Sequence, residues 1–277
     1  MKRNPAVAGT FYEADPEALK KRIEWCFHHE IGPGKIPRIG DKRELKAVIA
    51  PHAGYIYSGP VAAHTYHEVA ADGFPETFIL LCPNHTGIGS GVSMMTKGEW
   101  VTPIGSVKID EDLAEELLEV SEIIDIDESA HLGEHSCEVH IPFLQYFSQD
   151  FKIVPVCMWM QDLDTAKEIG NSIADASQGK DILIIASTDF THYEPADVAY
   201  KNDQKVLEAI VSLDENRMYE RIYQFNVSMC GYGPVAASIV AARKKGASKG
   251  KLLKYATSGD ITGDYSSVVG YASAIFK

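Results

Sequence analysis

Two histidines, His52 and His85, each follow an apolar run and stand beside a turn-forming proline, in Pro51-His52-Ala53-Gly54-Tyr55 and Pro83-Asn84-His85-Thr86-Gly87. Neutral imidazole is a common metal ligand, and catalytic metal sites usually combine three protein ligands with an open position. A third ligand is offered by Cys230 in Ser228-Met229-Cys230-Gly231-Tyr232-Gly233-Pro234, a glycine-bounded turn that opens onto a helix. A helix N-terminus favours thiolate over thiol, so the sequence reads Cys230 as disposed to ligation. A lone histidine more often caps a turn, and a lone cysteine is more often an inert core residue. The repeated strand-end placement of the histidines tilts the reading towards a site. A carboxylate and an imidazole repeat that placement in Ser187-Thr188-Asp189-Phe190-Thr191-His192-Tyr193, directly after the apolar run 181–186. Asp189 and His192 read as a catalytic acid/base pair in which the carboxylate orients the ring; the plainer alternative is that Asp189 caps the segment after the strand.

A rival motif, His131-Leu132-Gly133-Glu134-His135, fits the H-x-x-E-H pattern of inverted zinc peptidases. That pattern must lie on a helix, whereas a glycine costs about 1 kcal/mol relative to alanine in a helix interior. The apolar helical spacing begins only around Val139, Phe143 and Leu144, so the segment reads as a loop or helix start. Glu134 and His135, with Tyr55 of the first motif, are expected to line the same pocket. Gly87-Ile88-Gly89-Ser90-Gly91 follows a strand but leads into no helix and lacks the context of a phosphate loop. His64 and His67 fit a surface or pocket rim, and Asp260-Ile261-Thr262-Gly263-Asp264 fits an ordinary turn.

The elements that must position these groups are legible as short β-branched runs at 45–50, 77–82, 151–156 and 182–186. Near-continuous hydrophobicity without polar alternation predicts strands covered on both faces, as in a mainly parallel sheet. Between them lie amphipathic patterns: a helix capped by Asp15 with Leu19, Ile23, Cys26 and Phe27 on one face, and another at 164–176. Further helices are predicted at 60–69, 111–120, 197–211, 217–223 and 234–244, and a closing strand at 266–276 in which Gly270 admits close approach of another backbone. Residues 32–40 read as an irregular loop. The alternation predicts one α/β domain over 1–277, a central mainly parallel or mixed sheet flanked by helices.

Composition bounds the function. Hydrophobic content of 45% supports a substantial core, and a net charge of −13 with the acids spread along the chain argues against nucleic acid as a partner. Arg243-Lys244-Lys245 and Lys249-Gly250-Lys251 read as a helix end and a solvated turn. The start has no apolar stretch suited to a signal peptide and no later segment approaches membrane-spanning length, so a soluble, cytoplasmic protein without membrane association is expected. Five cysteines, odd in number and without a CxxC pair, argue against a disulfide framework and are read mostly as small core residues.

The same motifs, with Tyr57-Ser58-Gly59-Pro60, Glu134-His135-Ser136-Cys137-Glu138-Val139-His140-Ile141-Pro142-Phe143-Leu144, Cys230-Gly231 and Ser266-Ser267-Val268-Val269-Gly270-Tyr271-Ala272, resemble the Memo family over nearly the whole chain. That resemblance implies the fold of class III extradiol dioxygenases, which use non-heme ferrous iron. It also implies iron or copper, ahead of zinc, on His52, His85 and Cys230, with Asp189 and His192 beside the metal. It further implies a functional link to AMMECR-type and radical-SAM proteins. Extradiol enzymes use two histidines and a carboxylate; a cysteine in the carboxylate's place softens the site and moves it away from ring cleavage. Three functions are therefore carried forward. The first is a metal-dependent redox enzyme acting on a small molecule or peptide in the metal cleft. The second is a zinc-dependent hydrolase with Glu134 or His192 as base, and the third a non-enzymatic metal- or peptide-binding module using the same cleft.

Overall fold

The apolar runs become the middle of one sheet. In the computed structural model, which describes residues 1–277, the chain begins β1 (Lys2–Arg3), α1 (Pro16–His28), β2 (Ala47–Ala50), α2 (Tyr55–Asp72), β3 (Thr77–Pro83) and β4 (Val92–Met94). It continues through β5 (Glu99–Thr102), β6 (Gly105–Ile109), α3 (Glu111–Val120), β7 (Asp125–Ile126), α4 (Ser129–Leu132), α5 (His140–Phe147) and β8 (Lys152–Met158). Next come α6 (Leu163–Ala176), β9 (Ile182–Ser187), β10 (His192–Glu194), α7 (Ala196–Val211), α8 (Glu215–Phe225) and α9 (Tyr232–Lys244). The chain closes with β11 (Gly250–Thr257), α10 (Gly259–Thr262) and β12 (Val268–Phe276).

Twelve strands form a mixed sheet in the order β1-β5-β6-β8-β3-β9-β2-β12-β10, with β11 paired to β12 and β4 to β7 and β8. The centre, β8-β3-β9-β2, is parallel, so β2, β3 and β9 all end on the same side of the molecule. In open α/β sheets ligands bind at that side. β12 returns antiparallel along β2.

The lack of polar alternation has the expected cause. In β3, Phe78 and Leu80 enter one apolar layer with Phe27, Tyr66 and Phe143, while Ile79 and Leu81 enter the other with Ile169 and Ile239. With both faces buried, a one-residue slip would move each side chain to the wrong layer, so register is firmly specified. Register in turn decides at which residue each strand releases the chain into its loop. Asp15, Asp110, Asp162 and Asp214 cap α1, α3, α6 and α8 by accepting a backbone N–H three residues on.

Three expectations are revised. α2 begins at Tyr55 and contains Pro60 rather than starting there; burial of Tyr55 and Ser58 and the bond from Ser58 Oγ to Ala53 O hold the turn before the proline. Cys82 and Cys137 are joined by a disulfide across 55 residues of sequence. An odd cysteine count left room for a single bridge, and the fold lays the end of β3 against the segment before α5. At Gly270 the atoms that a Cβ would meet are side-chain ones, Asp203 Oδ2 at 2.3 Å and Tyr255 Oη at 2.7 Å. No helix is long and apolar enough to cross a membrane.

Candidate metal centre

Adjacent strands β3, β9 and β2 each release one polar side chain just past their ends: His85, Asp189 and His52. Cys230 arrives from the turn before α9, its N–H donating to Asp189 O at 3.2 Å while Gly231 N–H donates to Thr188 Oγ1 at 3.0 Å. The glycine is required by close approach, because a Cβ at 231 would lie 2.1 Å from Ser187 O. The ligand atoms of His52, His85 and Cys230 lie within 4.8 Å of one another, and Cys230 Sγ is 3.2 Å from His52 Nε2. One tetrahedral ion bound through N and S at ordinary bond lengths holds those atoms about 3.6 Å apart. The donor set therefore fits a transition-metal ion.

Hydrogen bonds orient both rings. Ser187 Oγ donates to Ser136 O at 2.8 Å, which leaves its lone pairs to accept the Nδ1–H of His52 at 2.6 Å. The Glu134 carboxylate accepts from His85 Nδ1 at 2.9 Å. These networks assign the ring proton to Nδ1 in each histidine and turn an unprotonated Nε2 outward. Burial, with the nearby imidazoles of His135 and His85, holds the pKa of His52 well below the usual histidine range and keeps the ring neutral. Burial and the Asp189 carboxylate push the Cys230 thiol up instead of down. The helix-terminus expectation for Cys230 thus fails: desolvation outweighs the end of α9, and a bound cation is what would draw off the proton.

Glu134 is a brace. Oε1 accepts from His85 Nδ1, His135 N and Ser136 N, each at 2.9 Å, and Oε2 accepts from His85 N at 2.5 Å. Burial alone would raise its pKa, but the hydrogen bonds it accepts from His85 and Ser136 bring it to about 2. His85, Glu134 and His135 also form a close group of ligand atoms, yet these contacts leave Glu134 committed to the loop. His135 stacks on His85 at 4.7 Å and 26° and faces His52 at 5.4 Å, with Phe11 on another side at 4.6 Å. Burial lowers its pKa to about 4. His135 thus belongs to the site, as does Phe11, which carries no sequence signal for it.

Asp189 and His192 are not hydrogen-bonded to each other. Asp189 Oδ1 accepts the His52 backbone N–H at 2.9 Å and its Oδ2 lies 3.9 Å from His52 Nε2. Burial, opposed by the bond from His52, raises its pKa to about 6. His192 is oriented by Ser228, whose carbonyl accepts from Nδ1 at 2.9 Å and whose hydroxyl accepts from the backbone N–H at 2.7 Å. The orienting role read for Asp189 thus passes to main chain from the Cys230 turn. Tyr55 donates to Val139 O at 2.6 Å and packs on Phe143 at 4.7 Å, which places it in the apolar layer behind the site. His131, fully buried, packs against Trp100 at 5.7 Å while Gly133 ends the short α4. The H-x-x-E-H segment therefore does not share one helix.

Comparison with known proteins agrees with this architecture. The family profile described as Memo-like protein matches residues 3–275. A MEMO1 family protein of Methanothermobacter thermautotrophicus is 60% identical, over 98% of this chain and 99% of the relative. Another from Methanopyrus kandleri is 57% identical over 100% and 99%, and one from Methanocaldococcus jannaschii 51% identical over 99% of each. The crystal structure of an uncharacterized protein of Escherichia coli K12 superposes with a TM-score of 0.57 at 14% identity, covering 84% of this chain and 100% of that one, a likeness of fold. With both profile and relatives spanning essentially the whole chain, this protein belongs to the Memo-like family.

Proposed function

We propose that this chain is a mononuclear metalloprotein in which His52, His85 and Cys230 hold one iron or copper ion and Asp189 and His192 handle protons for a small-molecule or peptide ligand in the cleft. The observation that carries the reading is the convergence of two outward Nε2 atoms and one sulfur from three separate segments on a single point. Bound there, iron or copper would supply one-electron redox chemistry and an open position for a ligand. A sulfur donor beside two imidazoles suits copper(I) or a redox iron better than the two-histidine, one-carboxylate set of ring-cleaving enzymes. We therefore infer an oxidoreductase without ring cleavage.

The chain's own groups divide the remaining work. Asp189, whose Oδ2 lies 3.9 Å from His52 Nε2, is the carboxylate placed to hold or pass a proton beside His52. His192, held through Nδ1 by Ser228, turns its Nε2 away from that bond and can serve a second proton position at the rim. His135, neutral above about pH 4, offers a hydrogen-bonding edge next to His85. The hydrolytic reading loses Glu134 as its base, because that carboxylate is engaged by four donors, and keeps His192 as the other candidate.

Anaerobic purification followed by elemental analysis and oxygen-uptake assays tests the proposal. Near-stoichiometric iron or copper is expected, lost in His52→Ala and sharply reduced in Cys230→Ser. Protein that takes up neither metal under any loading condition would overturn it. Stoichiometric metal with specific ligand capture but no turnover would instead favour the binding module.

A further inference from the structure

At the opposite end of the sheet from the candidate metal centre, a hollow of about 600 Å³ opens where β2 and β9 begin and α6 and α9 end. Its volume lies in the range of small-molecule sites. Five cations line it, Arg43, Lys46, Lys180, Lys244 and Lys245, against two carboxylates, Asp175 and Asp181. In a chain of net charge −13 this is a local reversal of sign.

Three of the cations already have partners: Arg43 with Asp181 at 2.6 Å, Lys180 with Glu116 at 2.9 Å and Lys244 with Asp175 at 3.4 Å. The other two do not meet a carboxylate. Lys245 Nζ donates to Ser177 O at 3.0 Å and Ser177 Oγ at 3.1 Å, and Lys46 enters from the first residue before β2. Burial, and after it the charge of Lys46 on the same wall, holds the Lys245 amine below the ordinary lysine range. The ends of α6 and α9 account for Lys244 and Lys245, since cations complement a helix C-terminus. They do not account for Lys46, which comes from the strand side, or for the hollow between them.

We propose that this hollow binds a phosphate-bearing small anion of more than one negative charge, seated between Lys46 and Lys245. Lysine ammonium groups are compact point charges well suited to phosphate oxygens, and the flanking ion pairs of Arg43 and Lys244 fix the walls without bringing a carboxylate to Lys46 or Lys245. The site lies apart from the metal centre and does not depend on the function proposed for it.

Calorimetric titration of the full chain at constant ionic strength, with inorganic tripolyphosphate and separately with ribose 5-phosphate, provides the test. Saturable binding of either probe is expected, at least tenfold weaker in Lys46→Glu, with retained affinity in His52→Ala. A preference for tripolyphosphate identifies a free oligophosphate as the ligand type, and a preference for ribose 5-phosphate a phosphorylated metabolite. Lys46→Gln, which removes the charge without adding a carboxylate, serves if the first variant does not fold. Absence of saturable binding for both probes overturns the proposal. So does binding that is unchanged in the lysine variants, or binding that is lost in His52→Ala alone, which would place the anion on the metal ligands.

Discussion

Glu134→Gln isolates the brace behind His85 while preserving its shape. The amide can keep one oxygen facing His85 Nδ1, His135 N and Ser136 N, but its NH₂ must then face the His85 backbone N–H, which Oε2 now accepts at 2.5 Å. One hydrogen bond to a charged acceptor is lost, worth about 1.5–3 kcal/mol, and the bond to the ring weakens from charge-assisted to neutral. Because that bond sets both the tautomer and the angle of His85, part of the loss should fall on the proposed metal binding. Partners behind a metal ligand typically contribute about 10–100-fold in affinity, or about 1.4–2.7 kcal/mol. Chelator competition with zinc, a redox-silent probe, should therefore show a dissociation constant raised by that factor, with ¹⁵N NMR of the histidines reporting the altered proton position. Ser187→Ala, which removes a neutral acceptor from His52, should cost less. A folded Glu134→Gln protein whose affinity stays within about twofold of the parent would refute the bracing role.

Other consequences can be checked separately. Burial holds His131 near a pKa of about 4, so the folded chain refuses a proton that the unfolded chain takes up near 6.5. Its stabilising contribution is complete above 6.5 and is lost as pH falls from 6.5 towards 4, on the order of 3 kcal/mol in all. Urea midpoints at pH 7 and pH 4.5 should accordingly differ less in His131→Phe than in the parent; an equal acid loss in both would exclude His131 as the cause. Replacing Cys82 and Cys137 together by serine opens a loop of 55 residues. The chain-entropy relation puts the cost near 4 kcal/mol, readable as a lowered denaturation midpoint, and an unchanged midpoint would count against a bridge in the native protein. Gly231→Ala sets a Cβ against Ser187 O and should weaken metal binding through displacement of Cys230, with unaltered affinity as the contrary result. Arg3→Met strips the buried Glu138 carboxylate of its cation and should destabilise the fold by about 3–5 kcal/mol in denaturant titration. A loss below about 1 kcal/mol would show that Ala6 N, Val7 N and Tyr12 Oη already suffice for Glu138.

The central strands were readable because a strand buried on both faces leaves an uninterrupted apolar run, as in β3 and β9, and the capped helices because aspartate at the start and a single apolar face leave a local trace. β5, β6 and β11 leave no such run in the sequence. They lie towards the sides of the sheet, with partly exposed and polar residues such as Glu99, Lys108 and Lys254, so their strand state depends on the neighbour that pairs with them. The site divides in the same way. His52, His85 and Asp189 announce themselves because a reactive residue just past a buried run is a local pattern. The aromatic contact of Phe11 with His135 and the bonds from Ser187, Ser228 and Glu134 join residues distant in sequence, where no periodicity records them.

What the chain determined locally is thus where strands end and which residues stand there, since apolar length and turn residues act over a few positions. Only the tertiary structure decided which of those ends are neighbours. The parallel order β3-β9-β2 brings His85, Asp189 and His52 side by side, the close approach allowed by Gly231 delivers Cys230, and burial then reverses the expected acidity of its thiol. Proton positions and acidities at this site depend on desolvation and on partners more than a hundred residues away, and those exist only once the sheet has formed.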